Sequence, residues 1–114
     1  MKNRFAGVCF LFAYSVISSC SQGIDRVKED MSVQSITEIA DSYLEDKKYQ
    51  YAGEVYLEVD RLYRYSDSAR TALINASRAF HASGDYEMCR LAANRFLEDF
   101  PESRQAPQAK YLIG

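Results

Sequence analysis

The sequence has little of what catalysis or cross-linking requires. One histidine, His81, stands among 114 residues, and a general base needs a positioned partner or nucleophile beside it. No Gly-rich phosphate loop, Ser-His-Asp set or metal-ligand spacing accompanies it, so no catalytic residue and no metal site is assigned, and the chain reads as a non-enzyme. Cysteine is equally scarce. Cys9 and Cys20 fall within or at the edge of an N-terminal apolar run, which leaves Cys89 alone, and one thiol builds neither an internal disulfide nor a cysteine-rich zinc site. An excess of positive charge is also missing. Without residues 1–19, which carry Lys2 and Arg4, 12 basic side chains face 16 acidic ones, a net charge near −4 that argues against nucleic acid. Neither proline nor glycine interrupts the chain between Ser35 and Gly53.

What is there begins with Lys2 and Arg4 followed by the uncharged run "FAGVCFLFAYSVI", the charged head and apolar middle of a secretory signal. At 13 residues it is shorter than the roughly 20 that a membrane-spanning helix needs. The run closes on Ile17-Ser18-Ser19-Cys20, which resembles a bacterial lipobox: an aliphatic residue, two small ones, then the cysteine that receives a diacylglycerol and becomes the new N-terminus. That resemblance implies removal of residues 1–19, a covalent lipid on Cys20 with no other cofactor, and, with Ser21 rather than an aspartate next, sorting to the outer membrane. Acyl chains contribute about 0.8 kcal/mol per buried methylene, enough in combination to anchor a small domain. An ordinary cleaved signal with an incidental cysteine is the alternative. Residues 20–34 then form the lipidated N-terminus and a polar tether.

From Ser35 the apolar residues take a helical period. Ile36, Ile39, Ala40, Tyr43 and Leu44 share one helix face, and Tyr49, Ala52, Tyr56, Val59 and Tyr63 share another. Between them, "EDKK" puts cations at the end of the first helix and leaves room only for a short turn. The next segment repeats the design, with Leu73, Ala76, Ser77 and Phe80 on its first helix and Tyr86, Cys89, Ala93, Phe96 and Phe100 on its second. Gly84 suits the left-handed position that ends a helix, and Pro101 stops the one that follows. Six pairs stand 37 residues apart: Ala40 and Ser77, Tyr43 and Phe80, Tyr49 and Tyr86, Ala52 and Cys89, Tyr56 and Ala93, Val59 and Phe96. A constant offset marks an internal repeat rather than an unrelated four-helix bundle, and a helix-turn-helix unit of this length is close to the tetratricopeptide repeat of about 34 residues. The expected fold is all-α, a tetratricopeptide-like helical-hairpin solenoid with repeat 1 at 35–66, repeat 2 at 67–102 and the start of a third, cut off, at 103–114. Ala52 and Cys89 are the small residues expected where helices cross.

A lipobox, a short tether and tandem repeats ending in "RFLEDFPES" resemble the BamD-type outer-membrane assembly lipoprotein family, over Cys20 to Gly114. The sequence departs from that family's pattern at Arg64 to Ser66, where a proline commonly closes the first repeat. The resemblance implies a scaffold anchored by lipid on the periplasmic face of the outer membrane. Its implied partners are the other subunits of the β-barrel assembly machinery and the C-terminal signals of unfolded barrel proteins. A Tol-Pal-associated envelope scaffold shares the "FPES" and "APQAKYLIG" style, and the N-terminal part of a larger lipoprotein enzyme is a further alternative. Because stacked hairpins present their first helices on a concave face, Ile36, Ile39, Tyr43, Asp46, Leu73, Ala76, Phe80 and Ser83 are expected to line a peptide groove, with Tyr43 and Phe80 equally suited to internal packing.

Overall fold

The computed structural model describes residues 24–114. Within them a short 3-10 turn, Ile24–Arg26, precedes five α-helices: α1 Val33–Glu45, α2 Tyr49–Leu62, α3 Asp67–Ser83, α4 Tyr86–Asp99 and α5 Ala106–Ile113. No strand occurs among the described residues. The proposed signal peptide and Cys20 lie outside them.

Local chemistry explains each boundary. Ser32 caps α1, its hydroxyl accepting from the Ser35 amide at 3.2 Å; this starts the helix three residues before Ile36, the first of the periodic apolar stripe. Ser66 does the same for α3 through the Ala69 amide at 3.0 Å, and Asp85 for α4 through the Met88 amide at 3.1 Å. Such caps each contribute about 1 kcal/mol. The helix ends follow the repeat. Gly84 closes α3 at φ 82°, and Lys47, 37 residues earlier, takes the same left-handed conformation at φ 58° after α1. Lys47 and Lys48 therefore occupy the turn rather than the last helical turn, where "EDKK" was expected to place its cations. Pro101 follows the end of α4 by two residues.

Consecutive helices pack as antiparallel hairpins, and the first helices α1, α3 and α5 touch along one side of the stack. This is a tetratricopeptide-like fold. Two cores fill it. The first joins Ile36, Ala40 and Tyr43 of α1 with Ala52, Val55, Tyr56 and Val59 of α2, Phe80 of α3 and Cys89 of α4. The second gathers Leu73 and Ile74 with Ala93, Phe96, Ala106 and Ala109. Ala52 and Cys89 are both completely buried, as small residues at helix crossings must be. A closer approach lies beside them: a Cβ on Gly53 would stand 2.8 Å from the Phe80 ring. The absent side chain lets α2 settle onto that ring.

Residues before α1 are not a free tether throughout. Val27 and Met31 pack against the first core, the Tyr63 hydroxyl donates to the Met31 carbonyl at 2.6 Å, and the Arg26 guanidinium lies 5.3 Å from the Tyr43 ring centre. The segment thus runs back along the first hairpin, from its open end near Tyr63 toward its turn.

Candidate interaction surface

Five of the eight residues expected to line a groove are core. Ile36, Leu73, Ala76 and Phe80 have no exposed surface, and Tyr43 is 7 % exposed against the tilted ring of Tyr51. The expectation is corrected for a physical reason. An apolar stripe on a helix of a two-helix layer is consumed by its own partner helix and the next hairpin, so a groove can only be built from the stripe's flanks. Ile39 is half-buried on the first core, Asp46 sits exposed in the first turn, and Ser83 sits exposed at the end of α3. The Ser83 hydroxyl donates to Gln50 Oε1 at 3.0 Å, while Gln50 Nε2 donates to Asp85 at 3.1 Å, so Gln50 fastens the two hairpin turns side by side.

The flanks do form a cleft. Val33 and Thr37 of α1 face Asp67, Ser68, Thr71, Ala72 and Asn75 of α3 across about 300 Å3, with Tyr56 beneath. All of these α1 and α3 residues lie in the first halves of their helices, so the cleft opens at the end of the stack opposite the Lys47 and Gly84 turns. Its lining mixes apolar, hydroxyl, amide and carboxylate groups. Val33 and a sliver of Ala72 supply its apolar part, Thr37, Ser68 and Thr71 its hydroxyls and Asp67 a carboxylate, and the Asn75 side chain finds no hydrogen-bond partner among the described residues. A primary amide donates and accepts at once, which matches a peptide unit. Below it, the Tyr56 hydroxyl donates to Asp41. Burial first, then that carboxylate, holds the phenol far above its ordinary range, so it remains a fixed donor.

Other chemistry-bearing groups stay apart. His81 is exposed and meets the edge of Tyr86 at 5.4 Å between ring centres. The Cys89 thiol is buried, is pushed up by that burial, and donates to the Leu112 carbonyl at 3.5 Å. Among the described residues no three His, Cys, Asp or Glu side chains converge as a metal would require, and no helix is long and apolar enough to cross a membrane.

The sequence reading missed two ionic links to α4, one from α2 and one from the turn that follows it. Asp60 is fully buried and accepts from Arg95 Nη1 at 3.0 Å. One turn further, Arg64 Nε stands 3.7 Å from Asp99, whose side chain is 6 % exposed. Both pairs span 35 residues with the signs reversed, a signal readable in the sequence as Asp60 and Arg64 against Arg95 and Asp99. Arg64 lies in the stretch where the expected proline is absent, and its side chain braces that turn against the end of α4.

The YfiO family model, described as an outer membrane lipoprotein, matches residues 29–114. No curated protein and no solved structure matches the chain.

Proposed function

Because the chain belongs to the YfiO family of outer membrane lipoproteins, we propose that it is a non-catalytic binding subunit of the machinery that assembles β-barrel proteins. In this reading it is held to the periplasmic face of the outer membrane by a lipid on Cys20. Its work is to present the cleft between α1 and α3 to an extended segment of another protein, such as the C-terminal signal of an unfolded barrel protein. The observation that carries the reading is the cleft itself, which an uncommitted Asn75 amide lines together with Val33, Ala72 and Tyr56. Mixed apolar and hydrogen-bonding groups suit a strand-like peptide, whose side chains alternate while its backbone amides repeat.

The test is a titration of the purified chain with a labelled peptide of ten residues ending in an aromatic carboxyl-terminal residue. Binding is expected, and Asn75→Ala is expected to weaken it about fivefold, the equivalent of about 1 kcal/mol for a lost hydrogen-bonded group, without changing the helical circular dichroism. A folded chain that ignores the peptide, or an Asn75→Ala variant that binds as well as the parent, would sink the reading.

A further inference from the structure

The lipid anchor and the folded body are separated by very little chain. Cys20 is four residues before Ile24, the first residue of the 3-10 turn, and four residues span at most about 14 Å in any conformation. Where the chain enters the fold then decides which surface meets the bilayer. From the Tyr63 contact at Met31, the segment runs back to Arg26, whose guanidinium lies over Tyr43. Tyr43 and its ring neighbour Tyr51, 5.5 Å away, flank the turn that joins α1 to α2. The entry point is therefore at the turn end of the first hairpin, and Ile24 is 44 % exposed there.

We propose that the turn end of the hairpins, around Ile24, Arg26, Lys47 and Lys48, lies directly against a lipid headgroup layer. This inference rests on the lipid anchor at Cys20 proposed above and adds the orientation of the body. Lys47 and Lys48 are exposed and enter no ion pair among the described residues, while Glu45 and Asp46 stand beside them. A surface of mixed sign fits a zwitterionic headgroup, which offers a phosphate and an ammonium together, better than a purely anionic one. A tether this short holds the surface at the bilayer at high effective concentration, so weak headgroup contacts suffice. The cleft between α1 and α3 lies at the opposite end of the hairpins and opens away from the lipid.

The experiment uses the acylated chain carrying a fluorophore on Lys48→Cys or, separately, on Asp67→Cys at the far end. The anchor consumes the Cys20 thiol and Cys89 is buried, so the introduced cysteine takes the label. Each protein is reconstituted into zwitterionic phosphatidylcholine vesicles containing a headgroup-borne quencher. The label at 48 is expected to be quenched at least threefold more than the label at 67, with little change when salt is raised. A spacer of fifteen Gly and Ser residues after Cys20 is expected to preserve flotation with the vesicles and to remove the difference. Equal quenching at the two positions in a floating protein overturns the orientation and leaves the anchor standing, as does a difference that survives the spacer. Failure of the chain to float removes the anchor and the orientation together.

Discussion

Arg95 Nη1 stands 3.0 Å from Oδ2 of Asp60, a carboxylate that no solvent reaches. The other oxygen, Oδ1, has no hydrogen-bond partner among the described residues. Arg95 is thus the group that makes burial of this charge tolerable, and it does so from the neighbouring hairpin. Removing one partner of a buried pair costs about 3–5 kcal/mol, whereas replacing both with apolar side chains of similar volume is often neutral. Arg95→Ala is expected to fall near the lower bound, about 3 kcal/mol, because Arg95 is partly exposed and water can enter once it is shortened. The double variant Asp60→Leu/Arg95→Met is expected to unfold at a urea midpoint close to that of the parent. A single variant costing under about 1 kcal/mol, the range of surface pairs, would show that the link is incidental.

Gly53 makes a second, sharper prediction. In an exposed helix interior, Gly→Ala stabilises by about 1 kcal/mol, but here the new methyl would enter the Phe80 ring at 2.8 Å. Phe80 is fully buried and cannot swing aside. Gly53→Ala is expected to destabilise by about 1–3 kcal/mol through overpacking. Phe80→Leu in the same chain should restore part of the loss, and denaturant melts of the two single variants and the double variant would reveal a coupling that independent sites lack.

The two hairpin turns should both favour glycine. Lys47 holds the left-handed conformation that Gly84 holds one repeat later, and that conformation costs a side-chain-bearing residue about 1–2 kcal/mol. Lys47→Gly is expected to raise stability by about 0.5 kcal/mol after glycine's greater unfolded-state entropy is subtracted. Gly84→Ala is expected to lower it by about 1 kcal/mol, although nothing stands within 4 Å of the added methyl. Thermal melts that move in the same direction for both would refute the shared backbone geometry.

Tyr56 gives the pH dependence. Its folded-state pKa is raised above the ordinary value of about 10, first by burial and then by Asp41. The folded chain therefore binds more protons than the unfolded one once the pH passes that value. The stability linked to Tyr56 is complete below pH ~10 and is lost as pH climbs above it. Urea midpoints measured from pH 8 to 11 should fall, and Tyr56→Phe should flatten the decline while losing about 1 kcal/mol at pH 8 through the missing hydrogen bond.

The helices were legible because their boundaries are written in local chemistry. Gly84 and Pro101 each act on the backbone beside them, and the offset of 37 residues survives any detail of packing. The groove was not legible by the same route. Hydrophobicity marks Ile36, Leu73, Ala76 and Phe80 as facing something, but not whether that something is the protein's own next helix. Thr37, Thr71 and Asn75 read as ordinary solvated positions until α1 and α3 are set side by side. Asp60 was missed because a lone acid in a helix is usually solvated, and only its pairing with Arg95 at the spacing shared by Arg64 and Asp99 distinguishes it. Gly53 carried a usable signal, since a glycine inside a long helical pattern is costly unless something approaches closely.

Leu57 and Leu112 each pack against both cores. Neither core can be opened without stripping neighbours from the other, and the Asp60–Arg95 link from α2 to α4 fails at the same moment. Loss of order in one hairpin is therefore transmitted to the other instead of stopping at the Ser66 junction. The described part of the chain should melt in a single step, with its slowest-exchanging amides shared between α2 and α3 on either side of that junction.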